Sequence, residues 1–222
     1  MIKIENPNID TIAKEYFDLV KVRIKKRNSY YSAVLNVIFN GTSFNVLRSD
    51  PLHGKSKTTL VNLLLANNKL SDQRSYNNVV IANCHPWVAT NQVLLRSIID
   101  YLDDEDNLEE LILCQPDDAI SVDNKVKAAI GITPANFTEQ IVVFINNIIN
   151  YSLFDDYAYK IANDLNVNTC PYCNRNYINT VIDKGKKGII RPTFDHFFPQ
   201  VRHPFLALSF YNLIPSEKRI LF

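Results

Sequence analysis

The sequence predicts an α+β protein, with a mainly α-helical body over residues 1–165 and a small β-rich element over residues 166–222. Three observations carry that division. Through most of the first three quarters, apolar residues recur every three or four positions, the period of a half-buried helix. At Asn166 the text changes, and Gly, Pro, aromatic and Cys residues arrive close together. Residues 176–182 and 189–194 then alternate with a period of two, and 183–188 (Asp-Lys-Gly-Lys-Lys-Gly) reads as a hairpin tip with its lysines outward.

Composition narrows the classes. The 222 residues hold 24 Lys plus Arg against 23 Asp plus Glu, a formal net charge of +1. That excludes a wholly basic nucleic-acid binder but leaves room for a local basic patch. With 46% hydrophobic and 21% charged residues, the chain reads as globular rather than disordered. Its apolar runs are too short to span a bilayer, and residues 1–10 carry no leader-like apolar segment. Four cysteines are too few for a disulfide scaffold of this length. A reducing, cytoplasmic location with no membrane partner is expected.

Residues 8–26 open on a polar Asn-x-Asp start and place Ile12, Tyr16, Leu19, Val20 and Ile24 on a helical period. Lys21, Arg23, Lys25, Lys26 and Arg27 form either a solvated basic face or a nucleic-acid contact. A second apolar segment, 30–39, stops at Asn40-Gly41. Residues 43–47 read as a short strand and 58–67 as a helix. Between them, 49–56 resembles a phosphate-binding loop with Ser49 in place of the first glycine. Pro51 deletes a backbone donor there, so a polar loop with Lys55 and Lys57 in solvent is the stronger reading. Residues 78–83 are a strand or an apolar helical turn, and Cys84-His85 beside Pro86-Trp87 is expected to pack rather than bind metal.

Residues 91–102 are a helix, 103–106 an acidic loop, and 108–114 a helix ending near Pro116. Thr133-Pro134 opens a central helix whose Phe137, Ile141, Val142, Phe144, Ile145, Ile148 and Ile149 cover more than one face. Residues 151–165 continue helically, with Phe154, Tyr157, Ile161 and Leu165 aligned.

The chemistry lies beyond. Cys170-Pro-Tyr-Cys173 entering a hairpin is half of a zinc knuckle, because a tight turn presents two sulfurs to one ion. A redox pair is the rival, but it ordinarily sits at a helix start beside a βαβ unit. Asp195-His196 follows the second strand. Neighbouring strand residues face opposite sides, so the carboxylate suits a hard cation while the imidazole takes a proton from water. Asn212 is placed to hold the histidine-bearing loop through its amide.

Three words in this order carry a resemblance: Cys-Pro-Tyr-Cys-Asn-Arg-Asn-Tyr-Ile at 170–178, Phe-Asp-His-Phe-Phe-Pro at 194–199, and Leu-Ala-Leu-Ser-Phe-Tyr-Asn-Leu-Ile-Pro-Ser at 206–216. The chain resembles the HNH (His-Me finger) endonucleases, and more narrowly the nuclease subunits of Septu-type and retron-associated anti-phage systems. The resemblance implies a C-terminal ββα-metal finger. His196 would be the general base, Asp195 a ligand for Mg²⁺ or another divalent cation, and Asn212 the brace. Cys170 and Cys173 would be half of a structural zinc site. It also implies DNA as substrate and an ABC/SMC-like ATPase subunit as partner of the helical body. Arg175, Lys184, Lys186, Lys187 and Arg191 are expected to meet phosphate. In the family the motif continues with a second Cys-x-x-Cys and a closing helix. Glu217 and Ile220 stand at those cysteine positions, so the finger is expected to be incomplete in its last element. His203 is a third zinc ligand or, as the stronger reading, a loop or DNA-facing residue. The alternative reading is a truncated, catalytically impaired HNH protein that acts only as a binding or regulatory partner. A nucleotide switch on residues 49–59 is the third.

Overall fold

The computed structural model describes residues 4, 6–40, 42, 45–48, 50, 52, 86–182 and 188–217. The phosphate-loop resemblance at 49–59 lies almost wholly outside these residues. The expected helix at 58–67, the segment 78–83, Cys84-His85, and Lys184, Lys186 and Lys187 lie outside them entirely. The described elements are α1 (Ile9–Asn40), α2 (Asn45–Arg48), α3 (Pro86–Thr90), α4 (Gln92–Asp103), α5 (Glu105–Leu113), α6 (Ala119–Ile130), α7 (Glu139–Ile148), α8 (Ser152–Asp155) and α9 (Ala158–Leu165), then β1 (Val181–Ile182), β2 (Gly188–Ile190), β3 (Thr193–His196) and β4 (Leu213–Ser216). Short 3₁₀ turns at Pro204–Leu206 and Phe210–Asn212 precede β4. The chain is therefore α+β and mostly helical. Among the described residues no helix is long and apolar enough to cross a membrane.

The chain divides into two compact units. One comprises residues 24–107 and 125–148, the other residues 1–23, 108–124 and 149–222. In the first unit, Tyr31 sits edge-on between Tyr30 and Phe144, with ring centroids 5.4 and 5.7 Å away. Buried Asn28 donates to the Ile99 carbonyl (2.8 Å), which ties α1 to α4.

The second unit is organised by an aromatic cluster. Tyr16 lies against Phe154 (5.9 Å) and Phe210 (5.7 Å), and its hydroxyl donates to the Leu208 carbonyl (3.1 Å). Phe154 meets Phe194 of β3 edge-on at 4.6 Å and Tyr151 at 5.7 Å. Burial holds the Tyr16 phenol well above its ordinary pKa, so it remains a neutral donor. The β element after residue 165 thus shares its core with the start of α1 and with α8.

Several local expectations are corrected. The strand expected at 43–47 is helical over the described residues 45–48. The acidic run 103–106 is a helix boundary rather than a loop: Asp103 ends α4 and Glu105 begins α5. There Asp104 Oδ1 accepts the Asn107 N–H (2.9 Å), a cap, and the acids complement the helix dipole. The central helix starts at Glu139 instead of Pro134. The Asn136 side chain closes a competing turn by accepting the Thr133 N–H (2.7 Å) and donating to the Gly131 carbonyl (2.9 Å). Residues 151–165 form two helices, broken where the Tyr157 N–H turns back to the Phe154 carbonyl (2.8 Å). The period-two stretch 189–194 splits at Pro192, which lacks a ladder donor. β2 pairs with β1, while β3 pairs with β4.

Replacing Phe154 by Ala removes the ring at the centre of this cluster. Urea unfolding should show a loss of about 3–5 kcal/mol, the range for a buried Phe; a loss below about 1 kcal/mol contradicts a central packing role.

Candidate active site

β3 and β4 are antiparallel, with Phe194 opposite Pro215, Asp195 opposite Ile214 and His196 opposite Leu213. Side chains alternate along β3. Phe194 is buried in the aromatic cluster, Asp195 is exposed, and His196 is half-buried on the Phe194 face. The dipeptide therefore presents its carboxylate and its imidazole to opposite sides of one strand, as its spacing predicts.

His196 is held at several atoms. Its ring meets Tyr151 at 4.8 Å, and the Tyr151 hydroxyl donates to the Phe194 carbonyl (3.1 Å), fixing the wall beside the imidazole. Burial, with the nearby Asp155 carboxylate, pushes the Tyr151 phenol to about 12, so it stays protonated. His196 Nε2 lies 2.9 Å from the Ala207 carbonyl oxygen. A carbonyl only accepts, so Nε2 carries the hydrogen and Nδ1 keeps its lone pair. The Gln200 amide nitrogen lies 2.9 Å from Nε2 and 3.5 Å from Nδ1. With Nε2 protonated, a half-turn of that amide presents oxygen to the ring hydrogen. Burial pulls the His196 pKa below its ordinary value, against smaller opposing effects of the Ala207 carbonyl and the Asp195 charge. The result is a neutral imidazole with one basic nitrogen.

Asn212 braces the loop that follows. Its Oδ1 accepts the Phe198 N–H (2.6 Å), and its Nδ2 donates to the carbonyls of Phe198 (3.2 Å) and Leu206 (2.9 Å). Its own carbonyl accepts the Phe197 N–H (3.0 Å). A single buried side chain thereby clamps both ends of residues 198–206, and the adjoining Ala207 carbonyl is the one that meets His196.

Cys170 and Cys173 are free thiols on one tight turn. The turn is closed by Cys170 N–H to the Asn176 carbonyl (2.9 Å) and Asn174 N–H to the Cys170 carbonyl (2.8 Å), with Asn174 left-handed at φ 49°. Burial works against the Cys170 thiolate. Backbone N–H groups of Glu217, Tyr172 and Cys173, with the Cys173 side chain, interact with its sulfur, and the net shift is downward. This sulfur pair fits two of the four ligands of a zinc ion. Both cysteines line a cavity of about 490 Å³ together with Thr193, Asp195, Ser216 and Glu217. Glu217 accepts a hydrogen bond from Asn176 at this wall. Among the described residues, no group of three His, Cys, Asp or Glu that could hold a metal ion comes together.

The other residues singled out from sequence are dispersed. Arg175 is exposed on the cysteine turn beside Tyr177, which is 80% exposed. Arg191 is engaged within the protein, pairing with Asp155 (3.0 Å) and lying over the Tyr159 ring (5.5 Å). His203 bonds Asp123 through Nδ1. Sequence reasoning missed Tyr151, Gln200, the Ala207 carbonyl and Asp123. For Asp123 a signal existed: Ala119, Val122, Val126 and Ile130 have helical spacing, and Asp123 falls within their stretch.

Asn212→Ala strands the loop's backbone partners. Urea unfolding should register a loss of about 2 kcal/mol. Asn212→Asp, which keeps the acceptor and loses the donors, should fall between Ala and the parent. Equal stability of all three proteins contradicts the brace. The chain matches no family model, and no curated protein or solved structure is significantly similar to it.

Proposed function

We propose that this chain is an HNH-type endonuclease subunit that hydrolyses DNA phosphodiester bonds with a divalent cation, in anti-phage defence beside an ABC/SMC-like ATPase. The observation that carries the reading is His196: neutral, half-buried, its Nε2 committed to the Ala207 carbonyl, its Nδ1 left basic. Asp195 on the opposite face of β3 is the carboxylate for the cation, which when bound would offset charge on the scissile phosphate. The resemblance of the three sequence words to HNH nucleases supplies the reaction class and the partner.

The protein's part in the reaction is proton transfer and positioning. His196 Nδ1 takes a proton from water as the water oxygen bonds to phosphorus. The P–O bond to the leaving oxygen breaks, and that oxygen takes a proton from solvent. Tyr151 and the Ala207 carbonyl fix the ring, so little rotational freedom is lost when the step occurs. Asn212 acts on the loop and through it on the ring. Cys170 and Cys173 would supply two of the ligands of a zinc ion and so pin the turn that carries them. Arg175 and Tyr177 present a cation and an aromatic face beside it.

The pH dependence follows from the sign of the His196 shift. The active base is the neutral form, and burial lowers its pKa. Cleavage should therefore rise with pH along a limb centred below about 6.5 and stay level above it. His196→Ala should cut the rate at least about 100-fold and abolish the limb. EDTA should stop cleavage and Mg²⁺ restore it. Unchanged cleavage by His196→Ala sinks the assignment. DNA binding without any cleavage by the parent favours the binding-partner reading instead.

A further inference from the structure

We infer that Asp123 and His203 form a positioning dyad that anchors the middle of the base-bearing loop to helix α6. Asp123 is fully buried and is the only carboxylate among the buried described residues. Its Oδ2 lies 2.7 Å from His203 Nδ1, a contact spanning 80 positions in sequence. A carboxylate so placed is costly unless it is well paired, and removing one partner leaves the other stranded. The imidazole side chain is 20% exposed against 1% for the carboxylate, so the pair reaches from the core to the loop surface.

His203 occupies a strategic point. Its N–H and that of Arg202 both donate to the Pro199 carbonyl (3.0 Å each), closing a turn immediately before the Pro204–Leu206 3₁₀ turn. Its ring meets Phe198 edge-on at 5.7 Å. Asn212 clamps Phe198 and Leu206, the two ends of this stretch, and its amide makes no hydrogen bond to the described residues between them. The dyad fastens the middle. A shift of His203 would be passed through Phe198 and the 3₁₀ turn to the Ala207 carbonyl, which orients His196. Asp123 and His203 do not touch reacting atoms in this scheme. They hold the residues that do.

The catalytic arm of the test rests on the nuclease reading, so a second arm is independent of it. The parent is compared with Asp123→Leu, Asp123→Asn, His203→Asn and the double variant Asp123→Leu/His203→Phe. The double variant replaces both members of the pair with apolar groups, so neither is left facing the other's absence, which favours folding. Amide hydrogen exchange is read at Phe198 and, as a control in α9, at Ile161 and Leu165. In the Leu-containing variants the Phe198 amide should exchange at least about tenfold faster while the α9 amides are unchanged. The kcat for DNA cleavage should fall about tenfold or more with KM within about twofold, the mark of a positioning loss. Asp123→Asn retains an acceptor and His203→Asn retains a donor near the Nδ1 position, so both should recover to within about threefold of the parent. Parent-like Phe198 exchange in the folded double variant overturns the inference, as does equal acceleration at Phe198 and in α9. Should the parent show no His196-dependent cleavage, the nuclease reading fails and the dyad stands or falls on exchange alone.

Discussion

The amide of Asn212 is the constraint on which the site depends. Residues 197–206 contain no regular helix or strand long enough to satisfy their own backbone, so the loop needs an external partner for its polar groups. One buried side chain supplies an acceptor and two donors to it, at 2.6, 3.2 and 2.9 Å. Because Asn212 directly precedes β4, and β4 pairs with β3, the loop, the strand carrying His196 and the amide form a closed circuit. The Ala207 carbonyl completes it by meeting the imidazole itself.

That circuit is seated on an aromatic floor. Phe194, two residues before His196 and on the same face of β3, is buried against Phe154, which in turn meets Tyr16 and Tyr151. Packing and electrostatics therefore act together. The same burial that fixes the strand desolvates the imidazole and favours its neutral form. Asp195, one residue away but on the exposed face, keeps the solvation that a carboxylate needs. Two adjacent residues thus acquire different chemistry because a strand alternates.

The sequence made the chemistry more legible than the geometry that supports it. Cys170, Cys173, Asp195, His196 and Asn212 stand out by type and spacing, and the Asn212 amide hydrogen-bonds at Phe198 and Leu206. The partners of His196 leave weaker marks. A backbone carbonyl such as Ala207 has no residue signature. Tyr151 looked like one more residue of a helical stretch, and Asp123 meets His203 only through long-range folding. Errors at element boundaries have the same origin. Asn136 and Asp104 redirect helix starts through side-chain hydrogen bonds that compete with the Pro and acidic-run signals. β4 is four residues long and contains Pro215, so it is recognisable as a strand only beside β3.

The central claim is that His196 is a neutral base whose Nδ1 carries no hydrogen. Nitrogen-detected NMR of the imidazole at pH 7 measures it most directly, because ring ¹⁵N shifts distinguish the tautomers and the cation. The account predicts an Nε2–H tautomer that becomes protonated only along a titration centred below about 6.5. An imidazolium at pH 7, or a hydrogen resident on Nδ1, would contradict it.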